Sequence, residues 1–255
     1  MTDERTGRYL YAVCRGLDPA ALDGVVGLQG RPLELVDHQE LTAVVSDVPL
    51  AEFDEEGLRR NLEDLAWLEP TVRVHDQVIH AAAVAAPTAP LRLATICYDD
   101  DAVRARLREW YVALMYALDR VEGCAEWSVK VLTSPRAAEP VTAGPAPLSG
   151  AEYLRRKKAA ASERTSRDDA ALDVAARLHE ELHDLATASR QLAPQDPRLS
   201  GHQGTMVLNA AYLVPVADAD RFAARVDELA AEHPEVVVDR RGPWPPYSFA
   251  MLEQR

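Results

Sequence analysis

Short runs of β-branched, aromatic and aliphatic residues predict strands in the first half of the chain. The first run is Arg8–Cys14 (RYLYAVC), and Leu33–Val36 and Leu41–Val45 follow it. Because a polar stretch, Asp37–Glu40, separates the second and third runs, we expect them to form a β-hairpin. Two further strands are predicted, one at residues 89–99 (APLRLATICYD) and one at Cys124–Leu132.

Helical spacing of apolar residues predicts the elements between these strands. Four leucines between residues 58 and 68 share one face of a helix that begins near Asp54. Pro70 is expected to interrupt this helix, and a second helix should end before Pro87. A third helix is expected to be capped by Asp99–Asp101. The order β, ββ, α(α), β, α, β resembles an elaborated ferredoxin-like α+β sandwich, with helices on one face of an antiparallel sheet.

A proline- and glycine-rich stretch divides the chain. Thr133–Gly150 holds four prolines and two glycines, a composition that continues neither a helix nor a strand. We therefore predict an N-terminal ferredoxin-like α+β domain at residues 1–134, a linker at 135–149 and a C-terminal domain at 150–255. The C-terminal domain should contain a long helix from about Gly150 to near Gln191 and a small α+β unit. The motif PYSFAML is predicted to be its last strand.

Charge and composition limit the possible partners. The 255 residues carry a formal net charge of −13, which disfavours nucleic acid and anionic membrane surfaces as partners, since both attract cationic proteins. No apolar run approaches the roughly 18 residues of a membrane-spanning helix, and the first residues lack the apolar region of a signal peptide. Cys14, Cys97 and Cys124 are widely spaced in apolar stretches and are expected to be reduced. A soluble, cytoplasmic protein with no nucleic-acid or membrane partner is expected.

One short motif has the spacing of a zinc site. His179, Glu180 and His183 spell H-E-x-x-H, in which two imidazoles on one helix face share Zn²⁺ and the glutamate acts as general base. A catalytic zinc needs a third protein ligand, and the chain has Ala186 and Ser189 where a metzincin-type continuation would have glycine and histidine. The spacing therefore favours histidines at the border of an amphipathic helix, with a zinc-dependent hydrolase as the alternative.

Other motifs provide no catalytic or cofactor site. The chain contains neither a phosphate-binding G-x-x-x-x-G-K-[ST] loop nor a G-x-S-x-G nucleophile motif. His75 and His80 point about 140° apart on a predicted helix, so they do not converge, and helix-surface positions are favoured for them and for Asp76. We therefore predict no catalytic residues, no metal and no cofactor.

A basic cluster marks the start of the predicted long helix. Arg155, Arg156, Lys157 and Lys158 are followed by a markedly acidic half of the same helix. A solvated helix of mixed charge accounts for this pattern. The alternative is a docking surface for a protein partner, in which the charge asymmetry steers association.

Four stretches resemble the gas vesicle protein GvpL/GvpF family. They are YLYAV (Tyr9–Val13), APLRLATIC (Ala89–Cys97), GAEYLRRKK (Gly150–Lys158) and GPWPPYSFA (Gly242–Ala250). The last stretch is the most specific because it begins with six consecutive glycine, proline and aromatic residues. The second departs from the family pattern, since Leu93 and Ala94 stand where the family usually has Phe-Gly.

The resemblance implies both a fold and a function. It implies two ferredoxin-like α+β units joined through helical material, and a non-enzymatic accessory or minor component of gas vesicle assembly. The implied partners are the small, very hydrophobic structural shell protein of the gas vesicle and other accessory gas vesicle proteins. A shell subunit exposes apolar area before assembly and is prone to aggregate, so a soluble acidic partner would protect it.

The terminal motif has two interpretations. Its three prolines fix the backbone and remove hydrogen-bond donors, so Trp244 and Tyr247 project from a stiff segment. These aromatic side chains either pack against the protein's own helices or form a rigid surface for a partner. With the basic cluster, Arg155, Arg156, Lys157 and Lys158, they are the predicted partner-binding residues.

Overall fold

The computed structural model describes residues 5–134, 150–195 and 204–250 of the chain. They form two compact units: unit 1 consists of Met1–Glu126 and Trp244–Arg255, and unit 2 of Trp127–Pro243. This division differs from the predicted domains 1–134 and 150–255. The strand that ends at Thr133 belongs to the sheet of unit 2, and residues 247–250 pack on unit 1. The predicted linker, 135–149, lies outside the described residues.

Unit 1 contains a four-stranded sheet in the order β2-β3-β1-β4, and each strand runs antiparallel to its neighbours. The predicted hairpin is confirmed, with Val36 of β2 opposite Ala43 of β3. The elements of unit 1 are β1 (Thr6–Arg15), β2 (Glu34–His38), β3 (Leu41–Pro49), α1 (Leu50–Phe53), α2 (Glu55–Asn61), α3 (Leu65–Ala85), β4 (Thr88–Cys97) and α4 (Asp100–Val121).

Helices cover both faces of this sheet. Residues Tyr9 to Cys14 of β1 have no solvent exposure at all, which requires cover on each side. Tyr9 and Tyr11 share a cluster with buried residues of α3, whereas α4 contacts all four strands and contributes nothing to that cluster. The prediction of helices on one face is therefore wrong for unit 1, because α4 packs on the second face.

Helix α3 begins earlier than the sequence predicted. Asp64 caps it by accepting a hydrogen bond from the Ala66 N–H, and the helix continues through Pro70. Pro70 lies in the second turn and has no N–H, so the Ala66 carbonyl lacks its usual helical hydrogen bond. The first turn is unaffected, because its N–H groups have no acceptor within the helix in any case. The hydroxyl of Thr71 donates to the carbonyl of Trp67 at 2.7 Å beside this gap. The predicted interruption at Pro70 is thus wrong.

Unit 2 has the strand–helix–strand–strand–helix–strand order of a ferredoxin-like fold. Its sheet order is β6-β7-β5-β8, with the first and third strands of the unit adjacent at the centre. Together the two units confirm the predicted α+β class. The elements are β5 (Cys124–Thr133), α5 (Gly150–Asp184), β6 (Ala188–Gln191), β7 (Met206–Pro215), α6 (Ala219–Glu232) and β8 (Val236–Trp244).

Helix α5 is shorter than predicted because its expected last turn is a strand. The helix ends at Asp184, and Ala188 pairs with Leu213 of β7. One face of α5, including Leu178 and Leu182, packs into a buried cluster with Trp127 of β5. None of the described helices is long and apolar enough to cross a membrane.

The motif after β8 forms a short helix and not the predicted strand. Helix α7 covers Tyr247–Ala250, and the Ala250 N–H donates to the Pro246 carbonyl at 2.9 Å. Proline at the start of a helix loses no helical hydrogen bond and has the required φ angle, which explains the helical turn. We call Trp244–Ala250 the terminal segment; its helix contacts β4 and α4 of unit 1.

Candidate partner-binding site

An irregularity in edge strand β4 creates the main surface feature of unit 1. Leu10 of β1 pairs with Thr95 of β4, but Ala12 pairs with Pro90. Residues 91–94 therefore bulge out of the ladder between β1 and β4. Ala94, at one end of this bulge, has a φ angle of 61°, a left-handed conformation that favours glycine. The resemblance noted in the sequence implies glycine at this position, where this chain has alanine.

A buried tyrosine–histidine pair holds the bulge from inside the unit. The Nε2–H of His75 donates to the Leu91 carbonyl at 3.2 Å, so Nδ1 is the acceptor and the Tyr9 hydroxyl donates to it at 2.9 Å. The Ala94 N–H in turn donates to the Tyr9 oxygen at 3.1 Å. Each end of the bulge is thus hydrogen-bonded to this buried pair.

Burial determines the charge state of the pair. His75 is only 6% exposed, and this burial lowers its pKa to about 4, because the charged imidazolium loses its hydration. The same effect raises the pKa of Tyr9. Near neutral pH both groups are therefore uncharged, as the hydrogen bonds between them require.

An open groove lies between the bulge and helix α3. We call it the α3–β4 groove and define it by Val72 and Asp76 of α3, residues 91–93 of β4 and Tyr247 of the terminal segment. Its volume is about 570 Å³, within the range of ligand-binding clefts. Val72 is 43% exposed although it is apolar, and Leu93 is half-buried. The groove therefore offers apolar area to solvent.

The charged side chains at the groove differ in how they are paired. Glu69 accepts a hydrogen bond from Arg73 at 2.6 Å, and Asp76 accepts one from the Tyr247 hydroxyl at 2.6 Å. Arg92 is exposed, and no carboxylate lies within ion-pair distance of it among the described residues. Among the described groove residues, Arg92 is therefore a cation and Asp76 an anion without an ion-pair partner, next to the apolar area.

The terminal segment is fixed to unit 1 by buried contacts. Both the backbone N–H and the hydroxyl of Ser248 donate to the Glu126 carboxylate, each at 2.7 Å. Phe249 is 8% exposed and Ala250 is fully buried. Burial is the main cause that raises the pKa of Tyr247, and the hydrogen bond to Asp76 raises it further. The segment therefore forms one wall of the groove.

The two aromatic residues singled out in the terminal motif have different environments. Tyr247 packs against the core cluster of unit 1, as one of the two interpretations of the motif required. Trp244 is 44% exposed and is available to a partner. Their assignment as partner-binding residues stays a prediction.

The basic cluster lies on helix α5 in unit 2. Arg155 and Lys158 are exposed, and Arg156 and Lys157 occupy the helical positions between them. The role of these four residues in binding also stays a prediction.

The H-E-x-x-H histidines are hydrogen-bonded to hydroxyl groups. His179 Nδ1 lies 2.7 Å from the Tyr212 hydroxyl, and His183 Nδ1 lies 2.8 Å from Ser189 Oγ. Within the described ranges, no group of three His, Cys, Asp or Glu side chains has the arrangement of a metal site. The geometry gives no support to the zinc hydrolase alternative and agrees with histidines at the border of an amphipathic helix.

Sequence reasoning missed the importance of His75. It favoured a helix-surface position, whereas the structure buries the ring between α3 and the sheet. A signal was present, because Val78, Ile79 and Ala82 follow at helical spacing and share the buried face of α3. The partner of His75, Tyr9, is 66 residues away in the sequence, and no local pattern connects the two.

The fold and its surface define a protein of two α+β units, one of which carries an open apolar groove. Residues 7–251 match the family model described as gas vesicle synthesis protein GvpL/GvpF. The chain therefore belongs to the GvpL/GvpF family, and the resemblance read from the sequence is confirmed.

Individual relatives cover nearly the whole chain. Gas vesicle protein L of Streptomyces sp. is 44% identical over 97% of this chain and 94% of its own length. Gas vesicle protein F of the same organism is 30% identical over 94% of this chain and 98% of its own length. These relatives support a role in gas vesicles.

Solved structures show the same fold at lower sequence identity. The crystal structure of gas vesicle protein GvpF from Anabaena sp. PCC7120 has a TM-score of 0.71 at 19% identity and covers 98% of both chains. That of GvpF from Microcystis aeruginosa has a TM-score of 0.67 at 18% identity, covering 96% of this chain and 99% of its own. At such identities the likeness shows the fold alone.

Proposed function

We propose that the protein acts by binding and not by catalysis, as an accessory or minor component of gas vesicle assembly in the cytoplasm. Its partners are the hydrophobic structural shell protein of the gas vesicle and other accessory gas vesicle proteins. Membership of the GvpL/GvpF family supports the gas vesicle role.

The open apolar groove of unit 1 is the observation that carries the proposal. A shell subunit exposes apolar area before it is assembled, and an apolar surface with a charged rim protects such area from aggregation. Trp244 is 44% exposed, and Pro243 and Pro245 on either side restrict its backbone. Exposed aromatic side chains of this kind contribute a large share of the binding energy at protein interfaces. The basic cluster supplies positive charge in a protein with a net charge of −13.

Co-expression of the tagged full-length protein with the shell protein tests the proposal. The wild type should retain the shell protein on an affinity resin. A variant with Arg155, Arg156, Lys157 and Lys158 all changed to glutamate should retain several-fold less, with the largest difference at low salt. The fold should survive these changes, because exposed charges contribute little to stability.

A matched variant controls for the change in net charge. Arg59, Arg60, Arg108 and Arg120 are exposed residues of unit 1 outside the proposed surfaces, and changing all four to glutamate should leave capture unchanged. Equal capture by the wild type and the basic-cluster variant at every salt concentration would remove α5 from the interface. Failure of the wild type to retain the shell protein would contradict the proposed function.

A further inference from the structure

We propose that the α3–β4 groove receives an apolar segment of the shell subunit that carries a carboxylate, and that Arg92 binds this carboxylate. This inference rests on the proposed function and specifies where and by what chemistry the partner docks on unit 1.

Buried polar contacts maintain the bulge in β4. Two buried polar side chains, Tyr9 and His75, use their hydrogen bonds to hold the ends of residues 91–94. Burial of polar groups is unfavourable unless each one is satisfied, and Ala94 adds the strain of a positive φ angle. A regular strand would need none of these features. Bulges that are held in this way re-aim side chains, and the side chains aimed here are Arg92 and Leu93.

The shape of the groove suits an extended stretch of a partner chain. Glu69, Val72, Arg73 and Asp76 line its α3 side. They are spaced at helical i, i+3, i+4 and i+7 positions, so they follow one face of α3 for roughly 10 Å. A wall of this length along a helix fits several residues of a peptide segment. Val72 and Leu93 contact apolar side chains of such a segment, and the Tyr247 ring closes one side.

The charges at the groove favour a bound segment that carries a carboxylate. Arg73 is neutralised by Glu69, and Asp76 is hydrogen-bonded to Tyr247. Arg92 is thus the cation that the described groove residues leave without an ion-pair partner, while Asp76 keeps its negative charge on the α3 side because the Tyr247 hydroxyl is neutral. In a protein of net charge −13, a carboxylate is repelled by most of the surface and attracted at this position. Such local complementarity gives specificity for an apolar segment that carries an acidic residue.

The test compares capture of the co-expressed shell protein by full-length variants. Arg92→Glu should reduce capture about tenfold at low salt, since reversal replaces an attraction with a repulsion. Val72→Lys should also reduce it, because a charge then occupies the apolar wall. Arg120→Glu, an exposed reversal on α4, is the control and should have no effect. Circular dichroism spectra and thermal midpoints of the variants should match the wild type, since the changed side chains are exposed.

Charge exchange identifies the contact. Each aspartate and glutamate of the shell protein is changed to lysine in turn, and one of these variants should restore capture by Arg92→Glu while losing capture by the wild type. If the wild type binds the shell protein and Arg92→Glu binds it equally well, the groove is not the docking site, although the proposed function stands. If no shell-protein variant restores capture by Arg92→Glu, the result contradicts binding of a shell-protein carboxylate to Arg92. If the wild type itself does not bind, the proposed function fails and this inference fails with it.

Discussion

Each unit contains a tyrosine–histidine pair, but the two pairs have different roles. In unit 1 the hydrogen bond between Tyr9 and His75 is 2.9 Å long, and both residues also bond to the backbone of β4. In unit 2 the bond between Tyr212 and His179 is 2.7 Å long, and His179 is only half-buried at the edge of α5. The first pair maintains a backbone irregularity, whereas the second joins a helix to the β6–β7 ladder, which has no register shift.

The two units share a strand order but differ in how their strands are connected. Both sheets place their first and third strands at the centre, in the orders β2-β3-β1-β4 and β6-β7-β5-β8. Unit 2 has a helix after its first strand, whereas unit 1 has only short 3₁₀ turns there, at Pro19–Leu22 and Leu28–Gly30, and carries the bulge in β4. Departures from a regular fold that need dedicated polar contacts are expected at functional sites. A functional site is therefore expected in unit 1.

The largest expected effect comes from removing the histidine of each pair. His75→Ala leaves the Tyr9 O–H without its acceptor and the Leu91 carbonyl without the His75 donor in a buried space, and should destabilise unit 1 by about 4 kcal/mol. His179→Ala in unit 2 should cost about 1 kcal/mol, because its environment is partly hydrated. Urea unfolding followed by tryptophan fluorescence measures both. Equal losses would mean that the two pairs are equivalent.

The second-largest effect is expected from acid, which should lower the stability of the fold through the buried His75. The pKa of His75 is lowered to about 4 in the fold, while an unfolded histidine titrates near 6.5. As the pH falls from 6.5 towards 4 the unfolded chain binds the proton first, so stability decreases by up to about 3 kcal/mol. Urea midpoints at pH 7 and pH 4.5 should show this decrease in the wild type and in His179→Gln. His75→Gln should lack most of it, and an unchanged pH dependence in that variant would contradict a buried, neutral His75.

A smaller effect is expected from the terminal segment. Ser248→Ala removes a hydroxyl that donates to the Glu126 carboxylate and should cost about 1.5 kcal/mol, as for a hydrogen bond to a charged group. Ser189→Ala, which removes the hydroxyl beside exposed His183, is the matched change in unit 2 and should cost less than about 0.5 kcal/mol. Hydrogen exchange of the residue 248–250 amides provides the local readout. Unaltered protection in Ser248→Ala would show that the hydroxyl does not hold the segment.

The smallest effect should be a gain. Ala94→Gly relieves the left-handed strain at the end of the bulge and should stabilise unit 1 by about 0.5–1 kcal/mol. The same substitution at exposed Ala113 within α4 should instead destabilise by about 1 kcal/mol, because glycine lowers helix propensity. Thermal unfolding midpoints of the two variants should therefore move in opposite directions. A loss of stability in Ala94→Gly would refute the strain at this position.

Local sequence patterns were sufficient for most of the regular elements. Strand β1, the β2–β3 hairpin and the cap of α4 at Asp99 are confirmed, because alternation, turn polarity and capping are properties of neighbouring residues. Helix boundaries were less predictable. The continuation of α3 through Pro70 depends on packing, and the end of α5 depends on the pairing of β6 with β7.

The candidate site required information that no short stretch contains. The terminal motif pointed to Tyr247, which does form part of the groove. The bulge depends on the register between β1 and β4, and its support depends on Tyr9 meeting His75 across the core. The departure from the expected Phe-Gly at Leu93-Ala94 pointed to this part of β4. The sequence did not show that the backbone bulges there. The left-handed φ angle of Ala94 explains the glycine that the resemblance implied at this position.

The return of the terminal segment to unit 1 has a consequence for how the protein is made. A ribosome delivers β1 to α4 first, then all of unit 2, and only afterwards Trp244–Ala250. The wall that Tyr247 forms, and the two hydrogen bonds from Ser248 to Glu126, are therefore absent from every nascent chain that has not passed unit 2. A truncated translation product would carry β4 and its bulge but an incomplete groove. The order of synthesis thus links the completion of this surface to the synthesis of the rest of the protein.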